Sequence, residues 1–374
     1  MTEFIALFIA LIVAAITYGT PLLFGTLGEI LTEKSGNLNL GVEGIMFMGG
    51  AIGLGSVFYY EKWVATPNPY LAVVIALLFA FLAGAFASLI FSFLTITLRA
   101  NQNVTGLALA IFGTGVGQFI GEFMRVKEGG YISISNALKG YFQNSPFPHA
   151  LQNLPFVGKT LFGHSFFFYL GLALAIGMFW YLNKTRSGLY LRAVGESPAT
   201  ADAAGINISR TRYVATIIGG GISAIGGMIY IMTIAGSVWN HEGLSGIGWL
   251  AVALVIFCMW RPLSAIWGSV LFGALMILYL RLVIPFIPTQ LYKILPYVVT
   301  VIVLVISSMR NNREKQPPQS LGLPYFREER YQKWALPSAA PKLSADQISK
   351  STAPLDSRMD LQSCETATWR GSFL

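Results

Sequence analysis

Long apolar runs recur along most of the first 309 residues, and many of them are long enough to cross a lipid bilayer. A helix that spans the hydrocarbon core needs about 20 residues. Only 11% of the 374 residues are charged and 54% are hydrophobic, whereas about a quarter of the residues of a soluble domain carry a charge. The runs therefore predict an all-α, polytopic helical membrane protein.

The run boundaries predict about nine spans, within a range of eight to ten. The predicted spans are residues 4–27, 38–60, 70–98, 103–123, 165–182, 213–235, 246–260, 263–284 and 292–309. The chain starts with "MTEFIALFIALIVAAITYG", which has no basic residue before its apolar run. Because a cleaved signal peptide carries such a basic region, residues 4–27 are predicted to be a retained span.

Basic residues predict the side on which each connection lies. The connection 183–212 carries Lys184, Arg186, Arg192, Arg210 and Arg212. Connections rich in Lys and Arg stay in the cytoplasm, so 183–212 is predicted to be cytoplasmic and, by alternation, 124–163 to be an extracytoplasmic loop. The net charge of +8 is assigned to this orientation and to anionic lipid, not to nucleic acid.

The composition changes after Arg310. The transmembrane domain is predicted to cover residues 1–310, whereas residues 311–374 are polar, rich in Pro and Ser and without periodicity. Such a composition buries too little apolar surface to fold. A largely disordered cytoplasmic tail is predicted for 311–374.

The stretch "GNLNLGVEGIMFMGG", residues 36–50, combines the apolarity of a span with Asn37, Asn39 and Glu43. A charge at bilayer depth costs at least about 2.5 kcal/mol, so it persists where it faces a partner or a cavity. We predict a broken or re-entrant helix, with the two asparagines near the cytoplasmic mouth and Glu43 deeper. Glu43 either contacts a solute or only ties the broken helix to its neighbours, and the second role is favoured.

Other polar residues fall at the ends of apolar runs, in "RANQNVTG", around Gln118, and in "VWNHEG". Solvated loop ends explain the first and last of these motifs as well as a functional role does. The full set of candidate pathway residues is Asn37, Asn39, Glu43, Asn101, Asn103, Gln118, Trp239, Asn240 and His241.

Glycine spacing predicts two helix-packing faces. Gly113, Gly117 and Gly121 recur every four residues, and Gly219, Ser223 and Gly227 do the same. Small residues at this spacing let membrane helices approach closely.

The sequence contains no recognisable motif for metal binding, nucleotide binding or catalysis. The three histidines have no His or Cys neighbour at metal-ligand spacing. "GKT" at 158–160 lacks the glycine that a phosphate-binding loop needs five residues before Gly158, where Asn153 stands. The chain is therefore predicted not to be an enzyme and to hold no metal or cofactor.

The cytoplasmic connection contains "GESPATADAAGI". Ser197 suits a helix N-cap, Pro198 suits the first helical position, and Gly205 suits the residue after the helix. A short helix is predicted between two spans.

Three stretches together resemble signature stretches of ABC-importer permeases of the ribose and branched-chain amino-acid superfamily. They are "EKSGNLNLGVEGIMFMGGAIG", "TRSGLYLRAVGESPATADAAGINISRTRYVA" and "GIGWLAVALVIFCMWRPLSAIWGSVLFGA". Within the superfamily they look most like nucleoside and simple-sugar permeases. The resemblance covers residues 10–330, and "SLGLPYFREER" is similar to the usual end of such chains.

The resemblance implies an importer permease with two inverted halves and broken helices, in the bacterial cytoplasmic (inner) membrane. It implies a homologous second permease forming a heterodimer, a cytoplasmic ABC ATPase that binds ATP and Mg, and an extracytoplasmic solute-binding lipoprotein. The segment 195–205 resembles the coupling helix. By this carry-over Glu196, Pro198, Asp202 and Gly205 would seat in the ATPase, with Arg192 and Arg210 flanking them.

A path lined by Asn, Gln and aromatic residues suits a neutral, ring-bearing solute. Nucleosides are expected first, with simple sugars and a riboflavin-like vitamin as alternatives. An alternative of another class is an ion-coupled secondary carrier, in which Glu43 or Glu122 would titrate. A non-transporting membrane scaffold is a third, opposed by the many polar and glycine-rich positions within spans.

Overall fold

A computed structural model describes residues 2–152, 157–281, 294–302, 305 and 316–326. Apart from one isolated β-bridge, Ser133 to Val238, the regular structure in these ranges is helical, which confirms the predicted all-α class. The helices belong to one compact unit, Met1–Tyr325. Of the second unit, Phe326–Leu374, only Phe326 falls in the described ranges. Of the predicted disordered tail, 311–374, residues 316–325 belong to the first unit and pack against it, and the rest of the tail apart from Phe326 lies outside the described residues.

Besides the helical residues 294–302, thirteen α-helices are described in these ranges. They are α1 Thr2–Lys34, α2 Val42–Trp63, α3 Pro69–Ser92, α4 Gln102–Lys127, α5 Asn136–Gln143, α6 His149–Gln152, α7 Val157–Phe162, α8 Phe166–Lys184, α9 Arg186–Glu196, α10 Pro198–Ala203, α11 Ile208–Ile229, α12 Ile247–Phe257 and α13 Pro262–Arg281. A π-helical turn extends α3 over Phe93–Thr97, and another extends α11 over Tyr230–Ile234.

Six helices are long and apolar enough to cross a membrane: Ile9–Lys34, Val42–Trp63, Pro69–Thr97, Gln102–Lys127, Phe166–Lys184 and Ile208–Ile234. These match the first six predicted spans. α12 and the apolar part of α13 are shorter, and the predicted ninth span, 292–309, is described only at 294–302 and 305, where the chain is helical. The polytopic architecture is confirmed, although the nine-span count is not reached in the part of the chain that the structure describes.

The centre of the bundle is a close antiparallel crossing of α1 and α11. A Cβ placed on Gly28 would lie 2.2 Å from the carbonyl oxygen of Gly219, and one on Gly226 would lie 2.6 Å from that of Pro21. Ser223 Oγ donates to the Gly25 carbonyl across the same contact at 3.1 Å. Small residues therefore bring these two helices to backbone contact, the main source of attraction between helices in lipid.

The helices around this crossing are arranged in two matching sets. α2 runs beside α11 and in the same direction, since Gly49 meets Ala224 and Gly53 meets Met228. α12 runs beside α1 in the same way, since Ala251 contacts Gly25 and Trp260 hydrogen-bonds Glu33. α3 packs on α11, and α13 packs on α1. This is the pattern of two inverted structural halves.

Candidate functional site

The chain is not helical between α1 and α2. Residues 35–41, which we call the break, are held by side chains from other helices: the Leu38 N–H donates to Gln102 Oε1 at 2.7 Å, and the Asn39 N–H donates to Glu29 Oε1 at 3.2 Å. Irregular backbone at bilayer depth is tolerated only where protein groups satisfy it. The predicted break in 36–50 therefore falls at 35–41, before α2, which is a continuous helix from Val42 to Trp63, and a re-entrant course through the bilayer stays a prediction.

α2 starts beside the middle of α4. A Cβ on Gly44 would lie 2.5 Å from the Leu109 carbonyl oxygen of α4, and a Cβ on Gly113 would lie 2.7 Å from the Gly44 Cα. Gly113 lies about 17 Å along α4 from its first residue, Gln102, at 1.5 Å per residue. Because α4 has 26 residues, this point is close to its middle.

Glu43, in the first turn of α2, caps the start of α12. Its Oε1 accepts the Gly246 N–H at 2.6 Å, and its Oε2 accepts the N–H groups of Gly248 at 2.6 Å and Trp249 at 3.2 Å. Gly246, the residue that precedes α12, has φ +88° and no capping side chain of its own. The carboxylate from the first half thus replaces the local N-cap of a helix in the second half.

Glu43 and Gly246–Trp249 form what we call the junction, where the N-termini of α2 and α12 meet and the two helices run in opposite directions. A Cβ on Gly248 would lie 2.4 Å from Glu43 Cα, so only glycine allows this approach. Both helix N-termini carry partial positive charge, and Glu43 supplies a negative group to both. The Glu43 residue is 7% exposed, which favours the structural role predicted for it.

The asparagines of the break are buried. Asn37 is 0% and Asn39 1% exposed. Asn37 Nδ2 donates to Thr216 Oγ1 of α11 at 2.9 Å, and Asn39 Oδ1 accepts the Gly41 N–H at 2.9 Å. Both side chains hold the break in place, and their predicted role in a solute pathway stays a prediction.

A second polar group, the outer cluster, lies where the far end of α4 meets the segment before α12. It comprises Gln118, Glu122, Arg125, Trp239 and His241. Gln118 Nε2 donates to the His241 carbonyl at 3.1 Å, and Glu122 lies between Arg125 Nε at 2.6 Å and His241 Nδ1 at 3.6 Å. The structure therefore brings three predicted pathway residues together here, Gln118, Trp239 and His241.

Trp239 is nearly buried, with its ring packed flat against Gly121, where a Cβ would lie 2.0 Å from Cε2. Asn240 is exposed, and its Oδ1 accepts the Glu242 N–H at 3.2 Å. Within the outer cluster, Arg125 and His241 are thus exposed, Gln118 and Glu122 are half-buried, and Trp239 is buried against the glycines of α4.

Asn101 and Asn103 lie elsewhere, at the opposite end of α4. Asn101 Oδ1 accepts the N–H groups of Asn103 at 3.0 Å and Val104 at 3.2 Å, which makes Asn101 the N-cap of α4. The start of α4 and Gln118 are about 22 Å apart along the helix. The candidate pathway residues therefore fall at three depths, and their contact with solute stays a prediction.

Two carboxylates near the break were not among the predicted site residues. Glu29 and Glu33 are 1% and 2% exposed, and Glu33 Oε2 accepts the Trp260 indole N–H. Their four-residue spacing places both on one face of α1. The error came from ending the first span at residue 27, whereas α1 continues to Lys34.

The cytoplasmic connection contains two helices, α9 and α10. Ser197 precedes α10, Pro198 is its first residue, and Gly205 follows with φ +81°, so the predicted short helix is confirmed. Of the predicted coupling residues, Glu196, Gly205 and Arg210 are exposed, whereas Arg192, Pro198 and Asp202 are half-buried. Arg192 and Glu196 also line a cavity of about 580 Å³ together with Lys34 and Arg261.

Two inverted halves whose paired helices meet at their N-termini are typical of one class, the helical membrane transporters. Residues 11–304 match the family described as branched-chain amino acid transport system, permease component, and the chain belongs to this family. Its members are permease components of ABC transporters and not enzymes themselves. The resemblance inferred from the sequence is confirmed.

Curated relatives match most of the chain. It is 31% identical to the guanosine ABC transporter permease protein NupQ of Bacillus subtilis (strain 168), over 85% of this chain and 96% of that protein. It is 33% identical to the nucleoside ABC transporter permease protein NupC of Lactococcus lactis subsp. cremoris (strain MG1363), over 77% and 89%. It is 34% identical to the putative glucose ABC transporter permease protein TsgC13 of Haloferax volcanii, over 72% and 76%.

Proposed function

We propose that this chain is the membrane-spanning subunit of an ATP-driven importer of nucleosides. The observation that carries the proposal is the likeness over 85% and 77% of the chain to permeases named for guanosine and for nucleosides. The outer cluster supports it, because amide, indole and imidazole groups suit a neutral, ring-bearing solute better than a ring of one charge does.

Alternating access at the junction is the proposed mechanism. In this proposal the meeting point of the α2 and α12 N-termini is the hinge between an outer and an inner opening. In this proposal a cytoplasmic ABC ATPase, with its own ATP and Mg, pushes on α10, and the push reaches α11, which begins at Ile208, five residues after α10 ends at Ala203. A homologous second permease, an extracytoplasmic solute-binding lipoprotein and a place in the bacterial inner membrane complete the proposal.

Simple sugars are the alternative solute, which the likeness to the putative glucose permease supports, and a riboflavin-like vitamin follows. An ion-coupled carrier is less well supported at Glu43, because three backbone N–H groups already bind that carboxylate. The same objection applies to Glu122, because its carboxylate already forms an ion pair with Arg125.

The test is uptake by the complete complex in proteoliposomes. We expect ATP-dependent uptake of radiolabelled uridine that excess guanosine suppresses, with a non-hydrolysable ATP analogue as the control. ATP-dependent uptake of ribose or riboflavin but not of uridine would show that the proposed solute is wrong and would still support an ATP-driven importer. Uptake by this chain alone, driven by a pH gradient, would refute the ATP-driven mechanism.

A further inference from the structure

A short segment near the end of the described chain lies across α9. We call residues 316–325 the strap. The Ser320 N–H donates to the Gly195 carbonyl at 3.0 Å, and Ser320 Oγ donates to the same carbonyl at 2.6 Å. The Gln319 N–H also lies 3.4 Å from Glu196 Oε2. The strap is therefore bonded to the last turn of α9, immediately before α10.

The strap also contacts the break. The Gly322 N–H donates to the Gly36 carbonyl at 3.2 Å. A Cβ on Gly36 would lie 2.8 Å from Ser320 Oγ and 3.5 Å from Gly195 Cα. Three separate pieces of chain, the break, the end of α9 and the strap, thus meet at van der Waals distance around Ser320, which is 5% exposed.

The strap also provides a hydrogen-bond acceptor for Arg212, near the start of α11. Arg212 is 3% exposed, and the hydrogen bond resolved for its guanidinium goes to the Leu323 carbonyl of the strap, from Nη1 at 3.5 Å. Among the described residues, its Nε and Nη2 have no hydrogen-bond partner. A buried cation held in this way is costly to leave without its remaining partner.

The far end of the strap reaches α10. Tyr325 donates its hydroxyl hydrogen to Asp202 Oδ2 at 3.1 Å, and its ring packs on Val194, Ala201 and Ile208. The Asp202 carboxylate, predicted to seat in an ATPase, therefore already has a partner within this chain.

We infer that the strap is a positioning element that clamps α9 and α10 to the break, so that a displacement of α10 is carried to residues 35–41. The inference rests on the proposed function, in which α10 receives the push of the ATPase. Ser320 and Tyr325 act through the helices they hold. The end of α9 also packs directly on the end of α1, where a Cβ on Gly195 would lie 2.3 Å from the Lys34 carbonyl oxygen, so the strap adds hydrogen bonds to a packing contact, and without it only that packing contact joins α9 to the break.

The test uses full-length chains in the complete complex. Tyr325→Phe removes the hydroxyl but keeps the ring, and Ser320→Ala removes the Oγ bond. We expect each to lower the solute transported per ATP hydrolysed by roughly fivefold, the effect of losing one buried hydrogen bond, while ATP hydrolysis continues. Tyr131→Phe and Ser165→Ala, which alter an exposed tyrosine and a serine without a side-chain capping bond, are the matched controls and should keep the wild-type ratio.

A double-mutant cycle assigns the role of Asp202. If Asp202 acts through Tyr325, Asp202→Ala combined with Tyr325→Phe should transport no worse than Asp202→Ala alone. If the double variant instead loses transport by the product of the two single losses, Asp202 acts independently of the strap. That result would overturn the part of the inference in which the strap holds α10. An unchanged transport ratio in both Tyr325→Phe and Ser320→Ala overturns the inference altogether.

Hydrogen exchange separates this inference from the proposed function. In the purified complex without solute or ATP, we expect Ser320→Ala to raise amide exchange in residues 35–41 and in 194–206 together, and Ser165→Ala to leave both unchanged. Joint loss of protection supports the clamp even if the wild-type complex fails to transport uridine. Loss confined to the strap itself contradicts the clamp, whatever the solute is.

Discussion

The Glu43 carboxylate satisfies three backbone N–H groups at a depth where water is scarce. Each such donor left unpaired costs about 1–3 kcal/mol, and lipid offers no replacement. Because the same carboxylate lies at the N-terminus of its own helix α2, its negative charge also offsets two sets of helix dipoles. The charge, and not only the shape of the side chain, is therefore expected to matter.

Glu43→Gln tests that charge. An amide keeps one acceptor oxygen and turns an NH₂ group towards the N–H groups of α12, so we expect a loss of stability of about 2 kcal/mol and reduced transport. The measurement is the thermal unfolding midpoint of the purified complex together with its uptake rate. Glu242→Gln, at an exposed position before α12, is the control. Wild-type stability and transport in Glu43→Gln would exclude a charge requirement.

Residue identity predicted where polar groups would occur but not what they would bind. Asn37, Asn39 and Glu43 stood out as polar residues in an apolar run. Their partners, Thr216, Glu29 and Gly246, lie on other elements, and two of them are about 180–200 residues away in sequence. Sequence spacing carries no information about such pairs.

At the level of elements, α4 packs along α2 and the segment before α12 through a row of glycines. Gly113 faces the Gly44 backbone, Gly117 faces the Phe47 backbone, and Gly121 faces the Trp239 ring. A backbone neighbour cannot move aside as a flexible side chain can. The spacing of α4 beside the junction is therefore fixed by the absence of a Cβ.

Gly113→Ala and Gly115→Ala separate this packing from helix propensity. Alanine favours a helix over glycine by about 1 kcal/mol at both positions. A Cβ at position 113 would lie 2.7 Å from Gly44 Cα, whereas one at 115 has no heavy atom within 4 Å. We expect Gly113→Ala to lower the unfolding midpoint and uptake, and Gly115→Ala to leave both unchanged or slightly raise stability. Equal behaviour of the two variants would contradict the packing role.

The sequence pattern predicted which helix faces pack together more accurately than it predicted where the helices end. The four-residue spacing of Gly113, Gly117 and Gly121 predicted a packing face, and all three are buried against neighbours. The same holds for Gly219, Ser223 and Gly227 on α11. The end failed at α1, which continues past residue 27 to Lys34 with both of its acidic residues buried there, whereas α12 starts at Ile247, one residue from the predicted start of its span.

At the level of the whole molecule, each half packs on the first helix of the other half. α2 and α3 pack on α11, and α12 and α13 pack on α1. The order of helices, the break in 36–50 and its counterpart before α12 were predictable from the sequence and the resemblance. Their meeting at one carboxylate was not, because each half reads as an independent run of spans. Whether the outer cluster and the break lie on one solute path was equally beyond the sequence.

The predicted sidedness is testable by labelling. Ser135→Cys and Ser209→Cys are matched changes at exposed positions, on the predicted outer and inner sides. In a Cys364→Ser background that retains the buried Cys258, we expect a membrane-impermeant maleimide to label Ser135→Cys in intact cells. Ser209→Cys should react only after permeabilisation. The reverse pattern would invert the topology, and labelling of both in intact cells would contradict the spanning arrangement between them.

The shared carboxylate also has a consequence for biogenesis. Residue 43 is synthesised long before residues 246–249, so the Glu43 carboxylate lacks the three N–H groups that bind it until the second half is made. A charge within the hydrocarbon core costs at least about 2.5 kcal/mol. We therefore expect a truncated or misinserted second half to leave the first half exposed to quality-control proteolysis.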